Sequence, residues 1–442
     1  MTAPGIGDSN QKPWSMVYGP WTKRTWSFTP LSNILHPMRP FHVVQRYTCM
    51  RVRIFMLCAL FSVFHTLKAQ KAEVEQILQQ VNLDSLLFSV ARLTGIEKVT
   101  INGQEQTIYS RYRNQLPNDW AATYLADRLQ AYGYTPQNQY FDAMGKNVYA
   151  IKEGNLYPDR AFVICAHYDA IAVPYDQAVG ADDNASGCSG VLEAARLLKD
   201  SNFPFTLIFV FFDEEEQGLL GSMAFNQQFD FDTYGIEAVF NLDMIGYDYN
   251  EDFKAEIHTR PYANSIELAN KIIGLNDTFQ IGLDLSIENP GTSASDHDAF
   301  WQTGKTAVLL IEDEQDFNRF YHTKHDSMQY FNDSFLYRNV CFAIASLCWF
   351  ASDKDNTLSI DPGNTANPVI YPNPSNGRVW MDSREGGLLR VFAMDGKLLT
   401  QFPVHAGPNE LDLSAWKSMG QVVLQLQAES GSFRSNVLFL MP

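Results

Sequence analysis

Cysteine is scarce: six in 442 residues, none spaced as CxxC, so neither a disulfide-knit scaffold nor a thiolate metal cluster is expected. Cations are short too, with 33 Lys and Arg against 50 Asp and Glu, a net charge of −17. A nucleic-acid binder needs a basic face, so that class loses ground. No stretch reaches 18 consecutive apolar residues, so no permanent membrane span is expected. Internal repeats and low-complexity tracts are also missing. What is there is a chain with 45% hydrophobic residues, enough to bury a core, and long enough for two or three domains.

The charge divides the chain. Residues 1–69 carry eight Lys/Arg and one Asp, and residues 356–442 carry six Lys/Arg and seven Asp/Glu. The block between them holds 19 Lys/Arg and 42 Asp/Glu, or −23. Such a field attracts cations, a free α-amine included, at low salt. Within the basic leader, Arg51-Val52-Arg53 precedes the apolar run Ile54–Phe64 and a polar stretch ending at Ala69. That is the layout of a secretory signal peptide, too short for a spanning helix. Met50 is expected to be the true start, with residues 1–49 an upstream extension, 50–69 the signal peptide and Gln70 the first mature residue. A buried amphipathic helix is the alternative for this segment. Cys58 follows Leu57, which argues against a lipoprotein anchor.

Apolar residues recur at helical spacing over 70–98 and 119–131, where Gly133 closes the second helix. Four runs are almost continuously hydrophobic: Ala161–Ala166, Phe205–Phe212, Ala238–Leu242 and Thr306–Ile311. Strands buried on both faces look like this. Helical patterns at 188–199 and 334–351 alternate with them. The expected fold is α/β, a mixed, mostly parallel central sheet flanked by helices, over 70–352. Residues 353–369 read as a linker, and 370–442 as a small all-β sandwich built from short strands such as 379–381, 388–392, 421–427 and 437–440.

Three of the four buried runs end in metal-type ligands: His167-Tyr168-Asp169, Asp213-Glu214-Glu215-Glu216 and Asp243. In open α/β sheets a site forms beyond the C-terminal strand ends, so these groups converge. Loops add Gly180-Ala181-Asp182-Asp183-Asn184-Ala185-Ser186-Gly187 and Tyr321-His322-Thr323. Imidazole with carboxylates suits zinc without thiolates. His167, Asp183, Glu216, Asp243 and His322 supply enough ligands for two ions, leaving Glu215 free as a base. Taken singly, a His-x-Asp or an acidic run is usually plain surface, but two adjacent Glu directly after a buried strand are costly without a compensating cation.

These five segments, with Glu215-Glu216-Gln217-Gly218-Leu219-Leu220-Gly221-Ser222 and Asn241-Leu242-Asp243-Met244, resemble the co-catalytic zinc aminopeptidase family that includes bacterial leucyl aminopeptidase and aminopeptidase Y, over roughly 70–352. The resemblance implies that Asp183 bridges two zinc ions, His167 and Asp243 completing one and Glu216 and His322 the other. It implies Glu215 as general base and then acid, acting on a hydroxide shared by the zinc ions, and Asp169 as the carboxylate orienting His167. Peptides would be the substrates. Ser295-Asp296-His297 is expected to line the site without ligating; His322 is preferred over His325 as ligand, and His258 is expected to be structural. Cys165 and Cys188 are expected reduced and buried, and Cys341 and Cys348, about 10 Å apart on one helix, too distant to bond.

The tail motifs Ile370-Tyr371-Pro372-Asn373-Pro374-Ser375-Asn376-Gly377 and Val391-Phe392-Ala393-Met394-Asp395-Gly396-Lys397 resemble the C-terminal sorting domain of the type nine secretion system. That implies the secretion machinery as a partner and a secreted or cell-surface enzyme; a substrate-binding β-sandwich is the alternative. For the whole chain, a single-zinc glutaminyl-peptide cyclotransferase and a catalytically silent binding module on the same scaffold stand as the other readings.

Overall fold

The computed structural model describes residues 70–352, 369–371, 377–383, 386–393, 397–428 and 433–440. The expected extension at 1–49, the signal peptide at 50–69 and almost all of the 353–369 linker lie outside these residues.

The first helical pattern is two helices, α1 over 70–78 and α2 over Leu83–Leu93. Asn82 separates them: its side chain accepts from the Ser85 N–H at 2.8 Å and caps α2. A short hairpin, β1 (Val99–Ile101) and β2 (Gln104–Gln106), leads to α3 (Leu116–Ala131). The central sheet contains β3 (Gln137–Tyr140), β4 (Lys146–Lys152), β5 (Tyr157–His167), β6 (Phe205–Phe212), β7 (Gly235–Leu242), β8 (Lys254–His258), β9 (Asp284–Glu288) and β10 (Ala307–Glu312). Its order is β3-β4-β6-β5-β7-β10-β8-β9. The four central strands, β6-β5-β7-β10, are mutually parallel and are the four buried apolar runs. Pairings β3/β4, β4/β6 and β10/β8 are antiparallel, so the sheet is mixed.

Both faces of the central strands are covered, which is why their sequences do not alternate. On β5, Phe162, Ile164 and Ala166 join one core while Ala161, Val163 and Cys165 join the other. On β6, Leu207, Phe209 and Phe211 divide from Ile208, Val210 and Phe212 in the same way. The first core takes in α4 (Gly187–Leu198), α6 (Ser265–Thr278) and α8 (Asp333–Ser352); residues of α5 (Leu220–Gln228) and α7 (His297–Gln302) close the second. Among the described residues α8 alone is long and apolar enough to cross a membrane, and 78% of its apolar window is packed inside the protein. Its composition is that of a core helix: Phe342, Ile344, Leu347 and Phe350 sit in the first core. Truncating one such side chain to alanine costs about 2–5 kcal/mol.

Cys165, Cys188, Cys341 and Cys348 are free thiols and buried, as expected. The C-terminal region is all-β, in two antiparallel sheets. One is β11 (Val369–Tyr371), β12 (Arg378–Ser383) and β15 (Gly407–Asp412) in the order β11-β12-β15. The other is β14 (Leu398–Val404), β13 (Gly387–Phe392), β16 (Gln421–Ala428) and β17 (Phe433–Phe439) in that order. Val379, Met381, Leu389, Val391, Val422 and Leu424 form its core. β11 begins at residue 369, which the sequence reading assigned to the linker.

Candidate metal centre

Strand register brings the candidate ligands to one level. In the parallel pairing of β5 with β6, His167 stands opposite Phe212, so Asp213–Glu216 begin one step beyond. In the pairing of β5 with β7, Cys165 stands opposite Asn241, which leaves His167 level with Asp243. Asp183 comes from an irregular turn over Ala181–Ser186, entered through Gly180 at φ +52°. A Cβ at Gly180 would fall 2.0 Å from the Asp183 carbonyl oxygen, so only glycine fits there. His322 arrives on the loop after β10.

The five ligand candidates form two groups that share Asp183. His167 Nε2 lies 3.2 Å from Asp183 Oδ1 and 3.2 Å from Asp243 Oδ1. His322 Nε2 lies 3.3 Å from Asp183 Oδ2 and 2.8 Å from Glu216 Oε2. One carboxylate therefore turns one oxygen to each group. Bonds of about 2.0–2.2 Å from zinc to N and O give tetrahedral edges of about 3.3–3.6 Å, near three of these four separations, so the donors suit zinc. Glu216 Oε1 is buried and has no hydrogen-bond partner within the protein, as expected of a ligand whose charge awaits a cation.

The electrostatics agree with that need. Burial and Asp183 push the Glu216 carboxyl up to about 8. Burial pushes Glu215 well above the ordinary carboxylate range, with Asp296, Asp243 and Glu216 adding to it against His167. Burial disfavours charge on His167, but Asp243 and Glu215 outweigh it and hold its pKa well above normal. His322 rises to about 10 because its contacts with Asp183 and Glu216 overcome burial.

Around the ligands lies a shell of fixed partners. Asp169 does more than orient His167: its Oδ1 is 3.4 Å from His167 Nδ1, and its carboxylate also accepts the N–H groups of Glu215 at 3.0 Å and Glu216 at 3.3 Å. Ser295, expected only to line the site, donates its hydroxyl to Asp243 Oδ2 at 2.6 Å and accepts from Asn241 Nδ2 at 2.7 Å. Asp213 and Glu214 stay structural. Asp213 accepts from Tyr168 Oη at 2.7 Å and Asn118 Nδ2 at 3.0 Å, and Glu214 pairs with Arg113 at 3.3 Å. The Tyr321 ring stacks on His322 with centroids 3.6 Å apart. His325 belongs to neither ligand group.

Two positioning residues lie outside every motif of the sequence. Asp326 Oδ2 accepts the backbone N–H of Asp183 at 3.0 Å and of Asp182 at 3.1 Å, fixing the turn that carries the shared ligand. Arg111 is fully buried and donates to the carbonyls of Tyr168 (2.6 Å), Leu93 (2.9 Å), Gly180 (2.7 Å) and Val179. It ties the end of β5 to the same turn. The Asp four residues past His322 was a visible signal; nothing local marked Arg111.

A cavity of about 400 Å³ opens on the centre, lined by Asp183, Glu215, Glu216 and Asp243 on one side and by Glu256, His258 and Glu288 among others. Glu215 is in neither ligand group but faces this shared space. His258, expected to be structural, lines it too. The sequence model of the family described as peptidase family M28 matches residues 147–345. That match takes in somewhat under half of the chain, including all five ligand candidates. Leucine aminopeptidase 1 of Paracoccidioides brasiliensis is 26% identical over 282 residues, covering 59% of this chain and 68% of the relative. A probable zinc metalloprotease of Pyrenophora tritici-repentis is 26% identical over 235 residues, covering 48% and 53%, so the chain spans about half the length of that relative. Among solved structures, the LapA aminopeptidase of Legionella pneumophila superposes with a TM-score of 0.56 at 22% identity, covering 64% of this chain and 75% of that one. The glutaminyl cyclase of Porphyromonas gingivalis does so at 0.50 and 19%, covering 60% and 98%. At these identities the superpositions establish the α/β fold of the central region.

Proposed function

We propose that the protein is a two-zinc aminopeptidase, removing residues from the N-termini of peptides. One observation carries the reading: Asp183 offers Oδ1 to the His167–Asp243 group and Oδ2 to the His322–Glu216 group, at 3.2 and 3.3 Å from the two imidazoles. A single-ion site, as in the cyclotransferase alternative, has no use for both halves, and a silent binding module has no use for a spare, half-buried Glu215 beside them.

Bound zinc would supply Lewis acidity toward the scissile carbonyl, an acidified water and a docking point for the free amine. The chain's own residues do the rest. Glu215 accepts the proton of the attacking water and hands it to the leaving amine. Burial raises its proton affinity, which suits both halves of that task. Asp169 holds Glu215 and Glu216 through their N–H groups, and Ser295 steadies Asp243. The test is zinc content together with a panel of aminoacyl-anilides and N-blocked peptides. Two zinc per chain and cleavage of free N-termini alone are expected; one zinc with cyclisation of N-terminal glutamine would replace the reading.

For its place in the cell, the reading is export across the inner membrane by the 50–69 leader and delivery outside by the tail. The signal-peptide layout and the resemblance of residues 370–442 to a sorting domain support it, and the tail's two small antiparallel sheets are compatible with it. Deleting residues 356–442 should leave active enzyme in the periplasm; unchanged secretion of the truncated protein would remove the sorting role.

A further inference from the structure

We infer that the cavity beside the metal centre is built for a cationic side chain, so that the preferred substrates begin with lysine or arginine. This deepens the aminopeptidase reading and rests on it. Beyond the ligands and Glu215, the cavity presents Glu256, Glu288, Glu312 and Glu314, and neither a lysine nor an arginine lines it. The nearby cations are already engaged: Lys254 Nζ pairs with Asp313 at 2.8 Å and also feels Glu256, and Arg260 Nε donates to the carbonyl of Gly291, itself in the wall, at 2.7 Å.

The one imidazole in the wall brings no charge. His258 Nδ1 accepts the Thr292 N–H at 2.9 Å, so it carries a lone pair. The ring proton therefore sits on Nε2, which donates to Glu256 Oε2 at 2.8 Å. His258 is held neutral in one tautomer and fixes Glu256 in place. Glu288 Oε1 is steadied by the Ser286 hydroxyl at 3.1 Å. Glu312, 1% exposed, receives the Asn318 N–H on Oε1 at 2.8 Å, while its buried Oε2 has no hydrogen-bond partner. Its carboxyl also lies against that of Asp182, so an incoming donor would meet two buried acids there.

The rest of the wall matches the stem of such a side chain. Met244, Pro290 and Ile311 offer apolar contact, and the rings of Phe317 and Tyr321, edge to face at 5.1 Å, stand at the same cavity. A lysine or arginine lays its methylenes along apolar surface and carries its charge to the polar end, and a cation is also attracted to aromatic faces. An unbranched neutral side chain of equal length meets the same stem contacts and leaves the carboxylates unpaired. A hydrogen bond to a charged partner is worth about tenfold or more in such a comparison.

The experiment compares lysine, arginine, leucine and norleucine 4-nitroanilides on the zinc-loaded full chain and on E288Q, E314Q and the double variant. Lysine should exceed norleucine, which has the same four-carbon stem without the ammonium, by about tenfold or more in kcat/KM. The double variant should lower that ratio about tenfold, mainly through KM for lysine. Norleucine or leucine equal to or above lysine in the unaltered enzyme would overturn the inference, as would a lysine preference that survives both substitutions undiminished. If none of the four anilides is cleaved, the aminopeptidase reading itself fails, and binding of lysinamide against norleucinamide by calorimetry decides the pocket: tighter lysinamide sustains it, equal affinity refutes it.

Discussion

Replacing Asp326 by asparagine separates the metal centre from the turn that supports it. The Asp326 carboxylate accepts the Asp182 N–H on both oxygens at 3.1 Å, the Asp183 N–H on Oδ2 at 3.0 Å and Asn318 Nδ2 on Oδ1 at 3.2 Å. An asparagine amide has one accepting oxygen. If it faces the backbone, Asn318 meets an NH2 group; if it faces Asn318, the Asp183 N–H does. Either way the surviving bonds lose charge assistance, which roughly doubles the strength of such contacts. The turn then holds Asp183 less well, and partners of this kind are worth about 10- to 100-fold in metal affinity. Metal-free stability is a poor gauge, because removing a carboxylate also relieves repulsion with Asp182 and Asp183. The assay is zinc titration against a competing chelator, paired with the rise in Tm at fixed free zinc. A 100-fold weaker site loses about 2.7 kcal/mol of ligand-linked stabilisation. At about 2–4 °C per kcal/mol for a domain of this size, the zinc-induced rise should shrink by about 5–10 °C. Zinc affinity within twofold of the unaltered protein, with the same rise in Tm, would refute the reasoning.

Three further outcomes follow from the geometry. E215Q should retain both zinc ions and lose about 10²–10⁴ in kcat; full activity would dismiss Glu215 as the base. S295A removes the 2.6 Å hydroxyl contact to Asp243, and should weaken only one of the two zinc sites, by about tenfold, seen as a biphasic chelator titration; uniform weakening of both would contradict the division of ligands. Burial lowers the His297 pKa from 6.5 to about 3, against the pull of its hydrogen bond to the Thr292 carbonyl, so between those values the unfolded chain binds the extra proton. The stability His297 contributes by staying neutral is complete above pH 6.5 and falls as the pH drops, by about 1.4 kcal/mol per unit. H297F should lack this component; identical pH slopes of stability between pH 7.5 and 5 in both proteins would count against it.

The centre was largely legible because its ligands follow strands whose apolar runs announce themselves. Phe205–Phe212 matches β6 residue for residue, and the position of Glu215 and Glu216 just beyond it needed only the rule that sites gather at strand ends. The outer strands were not legible. β3 reads Gln-Asn-Gln-Tyr and is mostly exposed, and β9, Asp-Leu-Ser-Ile-Glu, is half-buried, so neither shows an apolar signal. The break at Asn82 shows in the sequence only as a five-residue step from Val81 to Leu86 in an otherwise helical spacing. His258, expected to be structural, does hold Glu256 and the Thr292 N–H, and only the placing of β8 beside β10 puts it in the cavity wall as well. Arg111 lay beyond reach altogether. Its role depends on carbonyls from Leu93, Tyr168, Val179 and Gly180, which meet only in three dimensions.

The four-carboxylate wall is supplied in good part by one continuous stretch of chain, from Lys254 through β8, α6 and β9 to Thr292, whereas the metal-holding groups come from the turns after β5, β6 and β7 and from the His322 loop. The proposed selectivity would thus draw Glu256 and Glu288 from a portion of the polypeptide that holds no candidate metal ligand, with Glu312 and Glu314 added from the end of β10. A duplicated copy could exchange that single cassette and accept a different terminal amino acid while leaving the hydrolytic apparatus untouched.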